Sequence, residues 1–398
     1  MQHVRSTSRR SHPGALRWCE LVALFVTTLA PAFAATPSGA AALDWSWRFG
    51  SAIVADARDQ ALAQQLALES AVRAGHLRGV EARARQISGW RKGVVFARLA
   101  RATAERGDAE AARRLAREAL RVANESPRWA GRIRLLAAET FAVLGDVPRV
   151  EKIVRPIAAA DRQAGGQAVA VLALARAAAG ESARALANLD GLAGDPDYLT
   201  AWWRASGYLW LADRGEVEPQ QRDALFDRAI DAAAAIAGWK QVSMFALVAE
   251  SAANRGRDEV ALRALERGED LAGRLPDSIA GRAQSLALLA RIRARLGAGD
   301  RAMQLLREAE SSVDGMLVTE RPIALGYVAA SWAQVGARAE AERVLAGALD
   351  AAAALENARP RALAVAAICR WVGEAGFPLA PRTQQRIEGL YEGLGEPW

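Results

Sequence analysis

The stretch ISGWRKGVVFARLARATAERGD (87–108) is written a second time, 149 residues later, as IAGWKQVSMFALVAESAANRGR (236–257). Aligned without gaps, the two share Ile, Gly, Trp, Phe, three Ala, Arg and the closing Gly in the same columns. Each copy ends on a glycine in a polar break, and that glycine recurs along the chain: Gly75, Gly107, Gly145, Gly180, Gly215, Gly256, Gly297, Gly336 and Gly376. The intervals run from 32 to 41 residues. A period of that length, between stretches of helical apolar spacing, is the mark of stacked αα-hairpins.

Register supports the period. Seven residues before the glycines stand Leu68, Ala100, Ala138, Ala173, Tyr208, Ala249, Ala290, Ala329 and Cys369, mostly small, as closely packed helices require. Eight before, no residue is polar, so the first helix of every pair carries an apolar stripe. Five after, Ala112, Ala185, Ala261, Ala302 and Ala341 repeat a small residue in the second helix. The glycine closes the first helix as a left-handed cap, and acids behind it (Asp108, Asp146, Glu181, Glu216) suit the start of the next.

These columns resemble the tetratricopeptide repeat, most closely in FARLARATAERGDAEAARRLAREALRVANESP and LGYVAASWAQVGARAEAERVLAGALDAAAAL. The family's Leu-Ala pair, loop glycine, small residue five later and Ala119-Leu120 or Ala348-Leu349 near the end of the second helix are present. Its large aromatic late in the first helix is kept at Phe141 and Trp332 but replaced at Thr103, Arg176, Ala252 and Arg293. A related degenerate helical repeat has the same layered architecture. The expected fold is therefore all-α, an αα-hairpin superhelix of about nine helix pairs over 55–398, with an irregular unit at 195–235.

Composition agrees. The chain has 398 residues, 52% of them hydrophobic, and 93 alanines, which favour helix. The net charge of +7 is not clustered in the sequence, which argues against nucleic acid as a partner. A basic segment, the apolar run LVALFVTTLA and the Ala32-x-Ala34 site lay out residues 1–34 as a secretory signal peptide, with 35–54 a leader behind it. The alternative is an N-terminal membrane anchor, but the run of about ten apolar residues falls short of the roughly 20 a span needs. The mature chain is expected to be periplasmic or secreted in a bacterial envelope. It carries one cysteine, Cys369, so no internal disulfide can form.

Catalytic chemistry is thinly represented. Beyond residue 34 only one histidine remains, His76, and no phosphate-binding, zinc-protease, nucleophile-elbow or calcium-loop motif occurs. Asp195 and Asp197 in GDPDYL read as a proline turn before a helix. Cys369 falls in the small-residue packing column and reads as a buried apolar residue. No cofactor or metal is expected, and no enzyme activity, although a two-carboxylate glycan hydrolase or lyase needs only Asp and Glu.

Function is then expected on the inner surface, which the first helices line. By resemblance to the tetratricopeptide groove, the residue six before each loop glycine faces inward, giving Arg101, Glu139, Glu250, Arg291 and Arg370 among charged candidates, with Leu174 and Leu209 between. Those arginines can clamp carboxylates, or they pair with acids of neighbouring repeats. The aromatic patch YLTAWWRASGYLW adds Trp202 and Trp210, since five rings are too many to bury against one neighbour and some should reach the surface. The expectation is an exported scaffold holding a protein or peptide in its concave face; the alternative is a cell-wall or exopolysaccharide factor binding, or cleaving, glycan. Trp90, Trp129 and Trp239, at the joints between pairs, read as structural wedges.

Overall fold

In the computed structural model, residues 39–195, 197–213, 217–276 and 280–395 are described. The expected signal peptide and Gly215 lie outside them. The architecture is all-α: 19 helices and, among the described residues, no strand. Nine inner helices are α2 (Ala57–Arg73), α4 (Arg91–Glu105), α6 (Ala130–Val143), α8 (Arg162–Ala178), α10 (Tyr198–Asp213), α12 (Trp239–Asn254), α14 (Ala280–Arg295), α16 (Arg321–Gln334) and α18 (Ala358–Glu374). Between them run the outer helices α3 (Val80–Ala84), α5 (Ala109–Glu125), α7 (Val147–Ala160), α9 (Ser182–Asp190), α11 (Pro219–Ala233), α13 (Asp258–Gly273), α15 (Gly299–Ser311) and α17 (Arg338–Ala353). α1 (Ala40–Ser51) precedes the first pair and α19 (Pro381–Glu392) follows the last inner helix.

The loop glycines close the inner helices as expected. All eight that are described have positive φ, between 66° and 88°. At Gly107 the backbone makes both bonds of a Schellman cap, Gly107 N–H to the Ala104 carbonyl and Asp108 N–H to Thr103. The Asp108 and Asp146 carboxylates then accept from Ala111 and Arg149 N–H, starting α5 and α7. The small-residue columns lie in the core: Ala100, Ala138, Ala249, Ala290 and Cys369 are fully buried. At Gly326 the helices come so close that a Cβ would stand 3.0 Å from the Cα of Ile368 on α18.

Every inner helix packs against the next, and the last packs against the first. α18 lies beside α2, and α1 fills the outer position across both. The N-terminal helix thus completes the final unit, and the chain closes into a ring. The leader segment 35–54 accordingly contains a structural helix: Ala42, Leu43, Trp45, Trp47 and Phe49 are buried. Phe49 meets Tyr391 of α19 edge-on at 5.2 Å, with Trp45 5.7 Å from the same ring. At Gly373 a Cβ would stand 2.7 Å from the Leu43 side chain.

Beneath α1 the seam is ionic. Glu374 at the end of α18 accepts from Arg73 Nε and Nη2, both at 2.8 Å, and from the Ser70 hydroxyl, also at 2.8 Å. Arg359 reaches Asp56 at 3.0 Å at the other end. Ends therefore meet ends and starts meet starts, so the inner helices run parallel. Around the outside, arginines stitch successive outer helices: Arg114 to Glu81, Arg228 to Asp190, Arg263 to Asp227, Arg301 to Glu269, Arg343 to Glu310 and Arg386 to Asp350. Each exposed pair contributes little, at most about 1 kcal/mol.

The doubled phrase plays the same part twice. Trp90 stacks on Trp129 at 4.3 Å between the starts of α4 and α6. Trp239 fills the space over Gly281, where a Cβ would lie 2.7 Å from its Cγ, between the starts of α12 and α14. Both indoles sit at joints between neighbouring units.

Candidate functional site

Because the ring is closed, the column expected to line an open groove points into an interior crowded by nine helices. Glu139 is fully buried and is a hub: Arg101 Nη1 donates to it at 2.8 Å, Arg98 Nη1 at 3.1 Å and Gln167 at 3.3 Å. Arg101 also donates to Glu105 and lies 5.4 Å from the Trp210 ring. Three inner helices (α4, α6 and α8) thus meet at one carboxylate, and α10 joins them through Arg101.

A second cluster gathers at the closing half. Arg295 reaches Glu250 at 3.3 Å, and Arg291 hydrogen-bonds the buried Tyr327. Burial pushes the Tyr327 phenol up, with Glu374 and Glu250 adding to the rise against the pull of Arg291. Arg370, 2% exposed, stacks on Trp371 at 4.0 Å and lends its charge to Glu374. Burial alone would raise the Glu374 carboxyl, but Arg73, Ser70 and Arg370 together hold it below the usual range.

The structure therefore brings Arg101, Glu139 and Trp210 into one internal network, and Glu250, Arg291 and Arg370 into another around Tyr327 and Glu374. Trp202 is enclosed elsewhere in the core, 1% exposed. Of the aromatic patch, only Tyr198 reaches the surface. The count of neighbours explains the difference: α10 is flanked by α8, α9, α11 and α12, so its rings are buried on several sides. Removing one partner of a buried pair of this kind is strongly destabilising, because it leaves an uncompensated charge in the interior.

The remaining reactive groups are quiet. Burial pushes the Cys369 thiol up to about 12. The Asp195 carboxylate accepts from Asp197 N–H, a turn of the expected kind. Among the described residues no group of three His, Cys, Asp or Glu is placed to hold a metal ion. No helix there is long and apolar enough to cross a membrane.

The accessible concavities are on the outside. One, of about 1000 Å³, opens between α15 and α17 over Leu325, Trp332 and Val344, and Arg307 and Arg343 are among its wall residues. Val318 lines it and Leu317 is its neighbour in the chain; at 69% and 67% exposed they are the most exposed large apolar side chains of the described residues. A second, of about 850 Å³, lies between α9 and α11 and is lined chiefly by Ala183, Leu186, Leu211, Val217 and Leu225. The sequence signal for the first is the run Met316-Leu317-Val318, three consecutive apolar residues in the connection between α15 and α16.

No protein-family model matches the chain, and no curated protein matches its sequence.

Proposed function

We propose that the chain is an exported, non-catalytic scaffold that holds a protein or peptide partner, docked in the groove between α15 and α17. The observation that carries this reading is the exposed apolar pair Leu317 and Val318, of which Val318 lines a groove with an apolar floor of Leu325, Trp332 and Val344 and walls of paired Arg, Asp and Glu. Exposed apolar side chains beside a concavity are what a docking surface offers a partner. The interior column is occupied by its own ion pairs, which turns binding outward. A glycan-stacking role for Trp202 finds no support, since that ring is enclosed.

The test places a photo-crosslinking residue at Val318 in cells, identifies the captured protein, and measures its binding with purified components. The Leu317→Asp/Val318→Asp variant is expected to lose that binding at least tenfold while unfolding at the same temperature. Full binding by this variant, or retention of the unaltered protein on peptidoglycan with no protein partner, overturns the proposal.

A further inference from the structure

The groove between α15 and α17 offers more than an exposed apolar edge. Along α17 its lining residues recur at helical spacing from Glu340 to Ala354, so they form one face of the helix, about 21 Å long at 1.5 Å per residue. Past Val344 the apolar positions of that face are all small: Gly347, Ala351 and Ala354. Inside a helix a glycine is disfavoured, and its use is to let another group come close. At Gly281, Gly326 and Gly373 that group belongs to this chain, 2.7 or 2.8 Å from where a Cβ would stand. At Gly347 an added Cβ would meet nothing within 4 Å.

The charges are matched with two exceptions. Seven charged side chains line the groove and six are answered: Arg343 pairs with Glu310 and Glu340, Arg321 with Asp314, and Asp350 with Arg386. The seventh, Arg307, is exposed and has no ion-pair partner among the described residues. Glu320, between the groove-lining Val318 and Arg321 in the sequence, is half-buried, has no ion-pair partner there either, and has its carboxyl raised by burial alone. A carboxylate taken partly out of water with nothing to offset it is costly, and a cation brought by a partner would offset it. The shape of the partner follows from the walls. Helices use their backbone groups internally and have none to give along their length. An extended segment would bring unanswered N–H and C=O groups to the apolar floor, whereas a helix brings its backbone already paired.

We propose that the groove takes an amphipathic α-helix of a protein partner, laid along the small face of α17 at Gly347, Ala351 and Ala354, with a basic residue brought to Glu320 and an acidic one to Arg307. This rests on the reading of the groove as the docking surface, and adds the shape and charge of what docks. The experiment measures fluorescence anisotropy of stapled helical peptides of about 15 residues, the length of the groove, with the purified protein. All carry one Leu stripe, and their flanks carry Lys and Glu, Lys and Gln, Gln and Glu, or two Gln. Parallel arms use an unstapled peptide of the Lys/Glu sequence broken by proline and phosphatidylglycerol vesicles, and sedimentation follows self-association.

The Lys/Glu helix is expected to bind best. Glu320→Gln should weaken only the Lys-bearing peptides and Arg307→Gln only the Glu-bearing ones, each by about threefold, as suits pairs at a groove edge. Gly347→Leu, whose side chain has room in this chain, should abolish binding at an unchanged or higher unfolding temperature. Equal affinity of the four peptides, or full binding by Gly347→Leu, overturns the proposal. So does equal binding of the proline-broken peptide, tighter binding of the vesicles, or a dimer that Gly347→Leu dissociates. If Leu317→Asp/Val318→Asp loses the crosslinked partner while Gly347→Leu and both charge variants keep it, the groove reading stands and this one falls. If that partner binds the Leu317→Asp/Val318→Asp variant fully, both fall.

Discussion

Replacing Phe49 by alanine tests whether the ring is closed. In an open solenoid a terminal helix frays by itself, and a cavity in it is felt locally. In a closed ring α1 is as internal as any other helix. Phe49 is fully buried and meets Tyr391 edge-on at 5.2 Å; emptying such a site costs about 3–5 kcal/mol, with about 1 kcal/mol of it from the aromatic pair. Phe245, 2% exposed in the middle of α12 on the opposite arc, is the reference. Phe49→Ala and Phe245→Ala should each lower the urea midpoint by about 1–2 M for a slope of roughly 2–3 kcal/mol/M. Amide exchange should accelerate in α18 and α2 as well as in α1. If Phe49→Ala leaves the midpoint unchanged and speeds exchange only over residues 40–51, the ends of the chain are not joined in the way argued.

Other perturbations read other parts of the molecule. Glu374→Gln should cost about 3 kcal/mol by leaving Arg73 without its partner. The folded carboxyl of Glu374 is lowered, so its contribution is complete above the ordinary carboxylate range and is lost as pH falls through the lowered value. The acid limb of stability should therefore be flatter in Glu374→Gln, and an unchanged acid limb would exclude this carboxylate as a closing contact. Glu139→Ala removes the carboxylate that Arg98 pairs with in the interior, while Arg101 keeps Glu105, and should lose about 3–5 kcal/mol by urea titration. Gly281→Ala drives a methyl to 2.7 Å from Trp239 and should destabilise by about 1–3 kcal/mol, with a changed indole emission. The Cys369 thiol should resist a disulfide reagent in the native protein and react only in urea.

What could be read from the sequence was local and periodic. Gly107, Asp108 and Ala112 declare a helix end, a cap and a packing contact within six residues, and each recurs in register. Closure could not be read that way. α1 carries no loop glycine, and the partners of Leu43 and Ser70 lie more than 300 residues away at Gly373 and Glu374. The inward column was identified by register, but its chemistry was not. Arg98 and Gln167, which complete the Glu139 hub, lie outside that column, and only the positions of α4 and α8 bring them to it. The outer stitches were legible in principle, since Arg114–Glu81 and Arg343–Glu310 are both 33 residues apart, close to the repeat itself.

Closure by α1 also sets an order of events during synthesis. Ala358, the first residue of the helix α1 must pack against, comes 307 residues after Ser51. At ~5–20 residues per second, about 15–60 s pass before that surface exists. Through that interval α1 can pack only against α2 and its neighbour α3, while Leu43, Trp45 and Phe49 lack their contacts with Gly373 and Tyr391. The same aromatic face that seals the finished molecule is, until the last helix arrives, the part of the nascent chain most in need of protection from other chains.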